Sequence, residues 1–290
     1  MIKPKFLNFN IEKFGFLFLD FYNVVNRALL SLGVVLATTF FTFLLIEGWN
    51  SITAKGVANE SMNQVHTQEK KKGTLLAKQK RPDEKPVGKV VYLTFDDGPS
   101  ELTGEFLDVL KEQNVASIFF MQGNNLQNTG FQENVKRAVK ERHYIGAHSM
   151  THNSDKLYKK GQFVPEMKET LALIHNITGT TPKLVRPPYE SAPGLKGTEI
   201  RNQIVGAGMK VWDWTIDSND WRLKGNPQQI IEDVKRTTTE DVEVVLMHEK
   251  PQTLQALPEI IKFYKKKGYE FGVYNEADHF QLNFQKDQRL

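Results

Sequence analysis

From Lys89 onward, short apolar runs alternate with amphipathic segments along about 200 residues of the chain. The apolar runs have the length and the β-branched and aromatic content of β-strands. Strands are expected at Val90–Phe95, Ser117–Met121, Tyr144–Ala147, Leu184–Arg186, Lys210–Thr215, Glu243–Met247 and Glu270–Val273. The intervening segments repeat apolar side chains at helical spacing. They predict helices at Glu101–Gln113, Phe131–Arg142, Val164–Ile177, Thr198–Ala207, Pro227–Thr237 and Leu254–Lys266.

This alternation predicts an α/β fold in which crossover helices cover a parallel sheet. A distorted (β/α) barrel of about seven strands is the first expectation, and an open, doubly wound sheet is the alternative. In both architectures ligands bind beside the carboxyl ends of the strands. The residues that follow each strand are therefore the first candidates for function.

Residues 28–46 form an uncharged run of nineteen residues in the N-terminal third of the chain. As a helix this run would be about 28 Å long, close to the hydrocarbon thickness of a bilayer. We therefore expect a transmembrane helix over residues 28–48, with residues 1–27 as a cytoplasmic or interfacial segment. A cleaved signal peptide is the alternative, but the run is longer than the usual signal core and no clear small-residue cleavage site follows it.

The formal net charge of +4 is distributed unevenly along the chain. Residues 55–89 carry a balance of +5, whereas residues 90–290 carry −2. Residues 49–88 are polar and lysine-rich without apolar periodicity, which predicts a flexible basic stalk. A nucleic-acid-binding protein would carry its basic surface on the folded domain, so we expect no nucleic-acid partner.

Acids, imidazoles and a guanidinium follow five of the expected strands. The segments are TFDDGP at 94–99, HSMTH at 148–152, RPPY at 186–189, DSNDW at 217–221 and LMH at 246–248. Because the carboxyl ends of parallel strands meet at one edge of a sheet, these side chains are expected to converge.

The absence of cysteine leaves His and carboxylates as the ligands for any metal ion. His148 and His152 are four residues apart, one helical turn, and with a carboxylate at another strand end, such as one of Asp96 and Asp97, they could form a three-ligand site with open positions for water. Zinc is the first choice for such a set, and cobalt, nickel or manganese also suit its nitrogen and oxygen donors. Taken singly, each motif has a plainer explanation, since Asp-Asp-Gly-Pro favours turns and Ser149 could cap a helix.

Three further residues are candidates on chemical grounds. His248, at the end of an apolar strand, is either a half-buried structural histidine or an acid–base group with Asp217 as its orienter. Arg186 precedes two prolines and could pair with a carboxylate or brace the sheet. Of the tryptophans, Trp221 is the one expected to line a site.

Taken together, the five motifs in this order resemble those of the NodB-like polysaccharide deacetylases of carbohydrate esterase family 4. The resemblance assigns residues 89–278 to that domain and leaves residues 279–290 as a C-terminal tail. It implies a distorted (β/α) barrel that removes acetyl groups from N-acetylated sugars with the help of one divalent metal ion.

By position, the resemblance implies that Asp97, His148 and His152 bind the metal ion. Asp96 would then be the general base that activates water. Arg186 would position the carboxylate of Asp96.

The resemblance also implies an acid and a pocket. His248 would be the general acid, tethered by Asp217. Tyr189 would contribute its backbone N–H to the oxyanion site, and Leu246 and Trp221 would shape the pocket for the acetyl methyl group.

The family motif continues RPPY with glycine, whereas this chain has Glu190, which is expected to change substrate access or the charge beside the oxyanion loop. The anchor and stalk imply a single-pass protein of the bacterial cell membrane with its catalytic domain outside the cell. The expected partner is a cell-wall polysaccharide, either peptidoglycan or a secondary wall polysaccharide, bound by a monomer. A glycan-binding protein that has lost catalysis and an O-acetyl esterase are the alternatives.

Overall fold

The computed structural model describes residues 85–290. Eight strands form one sheet in which every pairing is parallel, in the order β5-β4-β3-β2-β1-β7-β6, with β8 beside the start of β1. The strands are β1 (Val90–Asp96), β2 (Ile118–Met121), β3 (Tyr144–Ala147), β4 (Leu184–Val185), β5 (Lys210–Val211), β6 (Ile216–Asp217), β7 (Val242–His248) and β8 (Glu270–Phe271).

Seven α-helices connect the strands in this part of the chain. They are α1 (Thr103–Glu112), α2 (Gly123–Leu126), α3 (Gln132–Lys140), α4 (Phe163–Thr178), α5 (Thr198–Gly206), α6 (Pro227–Thr237) and α7 (Pro251–Lys266). Their ends carry ordinary signals: Asn226 accepts a hydrogen bond from the Gln229 N–H before α6, and Gly179 ends α4 with a φ of 75°. Short 3-10 turns lie at Thr129–Phe131 and Glu276–Asp278, and a π turn lies at Asp155–Lys159.

The alternation along β1 divides the apolar core into two layers. Val91, Leu93 and Phe95 belong to the cluster packed against the helices, whereas Tyr92 belongs to a second cluster with Trp212. Successive side chains of a strand face opposite sides, so Asp96 lies on the same side of β1 as Tyr92. The sheet thus presents an inner face that ends, at its carboxyl edge, in polar groups.

The curled parallel sheet confirms the expected α/β architecture. Among residues 85–290 its pairing runs from β5 to β6 and these two strands do not pair with each other, so the barrel is not closed. The six expected helices are present with ends shifted by a few residues. The strand expected at Lys210–Thr215 is confirmed only at its start: Lys210–Val211 pairs with β4 as β5, and after an interruption Ile216–Asp217 pairs with β7 as β6.

Residues 279–290 pack against the rest of the domain, although the sequence suggested a separate tail. Phe280 is buried in the inner cluster, and its carbonyl accepts a hydrogen bond of 3.0 Å from Trp212 Nε1. Leu282 forms an isolated bridge with Trp212, and Leu290 is fully buried. The segment therefore contributes to the core.

Within residues 85–290 no helix has both the length and the apolar character that a bilayer crossing requires. The expected interfacial segment (1–27), transmembrane helix (28–48) and all but the last residues of the stalk (49–88) lie outside the described residues. They stay predictions.

Candidate active site

The carboxyl ends of the strands surround a cleft of about 430 Å³. Its walls contain Asp96, Asp97, His148, His152, Pro187, Tyr189, Glu190, Trp214, Asp217, Trp221, Leu246 and His248. Nine of the ten side chains proposed from the sequence are in this set, and the tenth, Arg186, is fully buried with its guanidinium on Asp96. The structure therefore brings the five motifs to one place.

Two adjacent carboxylates at the end of β1 lie in different environments. Asp96 is the last residue of the strand and is buried, whereas Asp97 begins the turn with a φ of 71°. Gly98 follows, and a Cβ atom there would lie 2.0 Å from Glu249 Oε1, so a larger residue would have to displace the side chain of this buried acid. The Asp-Asp-Gly-Pro segment therefore forms a turn and also places both carboxylates at the cleft, so its structural and functional explanations are compatible.

Asp97 is oriented by residues at and after the end of β2. Gln122 Nε2 donates to Asp97 Oδ1 at 2.8 Å, and Asn125 Nδ2 donates to the Asp97 carbonyl at 2.8 Å. Sequence reasoning missed both residues, although Gln122 directly follows an expected strand and so lies at the same edge of the sheet. Gly123, next to it, lies against Met150, and a Cβ atom there would be 1.9 Å from Met150 Sδ, so a larger residue would have to displace that side chain.

Asp97, His148 and His152 together offer three ligand atoms that lie within 4.8 Å of one another. Asp97 Oδ1 is 3.8 Å from His148 Nε2 and 3.7 Å from His152 Nε2. Bonds of about 2.0–2.2 Å to a divalent ion place ligand atoms about 3–4 Å apart, so these residues fit a metal ion. His148 Nδ1 lies 2.8 Å from the Arg186 carbonyl, which can only accept, so Nε2 is left with its lone pair toward Asp97.

The two histidines lie on a loop, and the helical turn expected for their spacing was wrong. Residues 148–152 follow β3 as irregular backbone, with positive φ at Ser149 (63°) and His152 (50°). This reversal brings the two rings together with their centroids 5.0 Å apart.

The electrostatics at this cluster favour metal-binding protonation states. Burial alone would raise the pKa of Asp97, but the charges of the surrounding imidazoles and the hydrogen bond from Gln122 outweigh it and lower that pKa. Burial, followed by the charge of His148, lowers the pKa of His152. An ionised carboxylate and a neutral imidazole are the forms that bind metal ions.

The buried side chain of Arg186 lies beneath the surface of the cleft and contacts Asp96. Its Nη1 donates to Asp96 Oδ1 at 2.9 Å and to Thr94 Oγ1 at 2.6 Å. Nη2 and Nε donate to the carbonyls of Asp213 and Trp212. Asp96 Oδ2, on the other side, lies 3.7 Å from His148 Nε2. One oxygen of this buried carboxylate is thus paired, and the other is next to the three-ligand cluster.

The acid beside His248 is Asp220, and the expected tether by Asp217 was wrong. Asp220 Oδ1 accepts from His248 Nδ1 at 2.7 Å, while its Oδ2 accepts from the His248 N–H and from Thr253 Oγ1. The carboxylate of Asp217 instead accepts from the Asn219 N–H and, at 3.4 Å, from Trp221 Nε1. The chain reverses at Asn219, whose φ is 59°, and this reversal carries Asp220 to β7.

The Asp220 pairing also changes the titration of His248. Burial by itself would lower the pKa of His248, but the hydrogen bond and charge of Asp220, with the charges of Asp96 and Asp97, raise it above the usual value. Since Nδ1 is bonded to Asp220, the proton available to the cleft is on Nε2. The ring is therefore suited to donate a proton.

The rim of the cleft is aromatic and acidic. Tyr189 and Trp221 are 57% and 55% exposed, and Tyr189 Oη donates to the His152 carbonyl at 3.0 Å. Trp214, which was not the tryptophan expected at the site, lines the cleft as well. Burial and then the charges of Asp213 and Asp217 raise the pKa of Glu190.

Comparison with known proteins identifies the family. Residues 83–212 match the family model described as polysaccharide deacetylase. The chain is 50% identical over 208 residues to a peptidoglycan-N-acetylglucosamine deacetylase of Bacillus cereus, covering 70% of this chain and 75% of that protein.

Two solved structures share the fold. The crystal structure of the polysaccharide deacetylase Bc1974 from Bacillus cereus aligns with a TM-score of 0.68 at 50% identity, covering 70% of this chain and all of that one (100%). The catalytic domain of a peptidoglycan N-acetylglucosamine deacetylase from Eubacterium rectale aligns with a TM-score of 0.64 at 25% identity, covering 72% of this chain and 99% of that one. The chain therefore belongs to the polysaccharide deacetylase family, the NodB-like carbohydrate esterases of family 4, and is a hydrolytic deacetylase.

Proposed function

We propose that this protein is a metal-dependent N-deacetylase that removes acetyl groups from N-acetylglucosamine-type residues of a cell-envelope polysaccharide. The observation that carries the proposal is the convergence of the Asp97–His148–His152 cluster with the buried Asp96–Arg186 pair and the half-buried Asp220–His248 pair at one cleft. The names of the B. cereus and E. rectale relatives favour peptidoglycan as the polymer. A secondary wall polysaccharide has the same acetamido groups.

The ion proposed for the Asp97–His148–His152 cluster is zinc, although the nitrogen and oxygen donors also suit cobalt, nickel or manganese. Such an ion would supply a water of lowered pKa and would polarise the acetyl carbonyl. The chain itself supplies the proton transfers and the shape of the pocket.

Asp96 is the proposed general base. Its Oδ1 is held by Arg186, so its Oδ2, beside His148 Nε2, is the oxygen that would take a proton from the attacking water. Arg186 fixes the direction of the carboxylate through a bond of 2.9 Å.

His248 is the proposed general acid. An amide does not readily expel an unprotonated amine, so the leaving sugar nitrogen must receive a proton. Asp220 holds Nδ1 and keeps the Nε2 proton directed to the cleft. In the same proposal the Tyr189 N–H helps to stabilise the oxyanion, while Leu246 and Trp221 flank the acetyl methyl group.

The membrane anchor and stalk expected from the sequence favour a single-pass protein whose catalytic domain faces the wall outside the cell membrane. Nothing in this arrangement requires a second copy, and we propose that the monomer is active. Removal of acetyl groups there would leave free amines and make the polymer more cationic.

The test is acetate release from chitooligosaccharides and from purified peptidoglycan by the full chain, with and without a metal chelator. We expect release that the chelator abolishes and that added Zn²⁺ restores, and we expect no release by D97A. Release that survives chelation, or full activity of D97A, would contradict the proposal. Release from acetylated xylan alone would indicate an O-acetyl esterase, and polymer binding without any release would indicate a glycan-binding protein.

A further inference from the structure

The loop of residues 148–152 needs support from outside itself. It carries two of the three proposed metal ligands, yet it contains no helix or strand. Ser149 and His152 occupy the left-handed region of φ, which residues other than glycine rarely adopt. The His148 N–H continues the ladder to the Met121 carbonyl at 2.9 Å, but the N–H groups of residues 149–152 lie beyond the strand, so other groups must accept from them.

One side chain accepts from the centre of this loop. Glu166, in the first turn of α4, is 8% exposed, and its Oε2 accepts from the Met150 N–H at 3.1 Å and from the Thr151 N–H at 2.9 Å. Thr151 Oγ1 donates to the same carboxylate at 2.9 Å. All these bonds fall on the two residues in the middle of the loop, between His148 and His152.

The other acceptors at the loop are weaker. The Ser149 N–H points to Met167 Sδ at 3.3 Å, and the His152 N–H donates to Ser149 Oγ at 2.9 Å within the loop itself. A thioether and a hydroxyl are neutral acceptors, whereas hydrogen bonds to a carboxylate are charge-assisted and roughly twice as strong. Among the acceptors of the five N–H groups of the loop, Glu166 is therefore the only charged one.

We propose that Glu166 is a positioning residue for the metal site, which holds His148 and His152 at the separation that binds the ion. This inference rests on the function proposed above and goes beyond it, because Glu166 contacts neither the cleft nor a ligand side chain. Without the carboxylate, two buried N–H groups lose their acceptor and the loop relaxes. Metal binding must then also return the loop to its ligand-holding shape, and the free energy of this step weakens the affinity for the ion.

The test is the affinity of the metal-stripped full chain for Zn²⁺, measured by competition with a chromophoric chelator. The variant E166Q keeps the size of the side chain and one acceptor oxygen, but it is uncharged, so its hydrogen bonds to the loop are no longer charge-assisted. We expect it to bind Zn²⁺ about 10- to 100-fold more weakly than the unaltered chain.

Glu243 provides a matched control. This residue is also buried, and its carboxylate also accepts from two backbone N–H groups, Thr239 and Glu240, and from the hydroxyl of Thr215. It lies five residues before His248 on β7, about 16 Å along the strand from the cleft. We expect E243Q to lower the thermal midpoint of the metal-free protein as E166Q does, and to leave Zn²⁺ affinity within about 2-fold of the unaltered chain.

Equal Zn²⁺ affinities of folded E166Q and the unaltered chain would overturn the role of Glu166, as would an equal loss of affinity in E243Q. If E166Q does not fold, E166D replaces it, since its shorter side chain draws the carboxylate back from the Met150 and Thr151 N–H groups. Unchanged affinity of E166D would then overturn the proposal. Failure of the unaltered chain to bind Zn²⁺ at all would instead refute the metal site of the proposed function.

Discussion

At the scale of single residues, the pairing of Asp220 with His248 makes a direct prediction. Because Asp220 offsets the effect of burial and raises the pKa of His248, D220N should lower that pKa. A general acid must be protonated, so the fall in activity at high pH should begin at a lower pH in D220N. We also expect kcat/KM to drop by at least about 10-fold, since removing a general acid typically costs more.

The measurement is the pH dependence of kcat/KM on a chitooligosaccharide, with D217N as the control. Asp217 contacts the same loop without touching His248, so D217N should keep the position of the high-pH limb. If the high-pH fall in kcat/KM shifts in D217N but not in D220N, then Asp217, and not Asp220, sets the pKa of the general acid His248.

The carboxylate of Glu190 at the rim of the cleft leads us to expect a preference for positively charged substrates. It lines the cleft with Asp217, and burial and the charges of Asp213 and Asp217 raise its pKa, which indicates that acidic groups crowd this side. A carboxylate here should attract a sugar chain that already carries free ammonium groups. We expect E190Q to lower kcat/KM about 2- to 5-fold on partially deacetylated chitooligosaccharides and less on fully acetylated ones.

The comparison is made at low and high salt, because screening should remove the difference. E133Q is the control, since Glu133 is an exposed acid on α3 that does not line the cleft. An equal effect of E190Q on both substrates would mean that Glu190 acts by its size and not by its charge.

At the scale of elements, the junction of β2 and β3 contains an acid-sensitive contact. His143 is buried just before β3, and its Nδ1 accepts from the Ser117 N–H at 3.1 Å, so the ring is neutral. Burial lowers the pKa of His143 to about 4. Between this pH and about 6.5 the unfolded chain binds one more proton than the folded chain, so this contribution to stability is present near pH 7 and lost as the pH falls to 4.

The predicted contribution is about 3 kcal/mol over that window. H143N keeps an acceptor near Ser117 without a titrating ring, so its free energy of unfolding should fall less than that of the unaltered chain between pH 7 and pH 4. Denaturant unfolding at both pH values measures this difference. Parallel curves for the two proteins would exclude His143 as the cause of acid sensitivity.

Local patterns in the sequence were sufficient to predict most helices and strands, and to predict that the site residues lie close together. Strand period and strand ends are local properties, and parallel strands bring their carboxyl ends together whatever the details of the loops. Backbone reversals were not predictable in this way. The positive φ values at His152 and Asn219 belong to residues other than glycine, and they decide where the imidazole of His152 and the carboxylate of Asp220 lie.

At the scale of the whole molecule, we expect residues 279–290 to contribute to the free energy of unfolding. Phe280 is buried in the inner cluster, whereas Phe284, four residues later, is 40% exposed. We expect F280A to lower the free energy of unfolding by about 3–5 kcal/mol, the usual range for a buried phenylalanine. F284A should lower it by under about 1 kcal/mol, since less of that ring is removed from water. A loss in F280A as small as that expected for F284A would mean that residues 279–290 contribute little to the core.

Two glycines lie next to the residues that hold Asp97: Gly98 follows Asp97 itself, and Gly123 follows Gln122, which donates to its carboxylate. A Cβ atom at either glycine would collide with Glu249 or Met150, so a substitution there would disturb the packing beside the proposed metal site. The rim at Glu190 and Trp221 is more open to solvent. An engineer who wishes to redirect the enzyme to a different polymer should randomise that rim and spare the glycines, because chemistry and substrate choice can be altered separately.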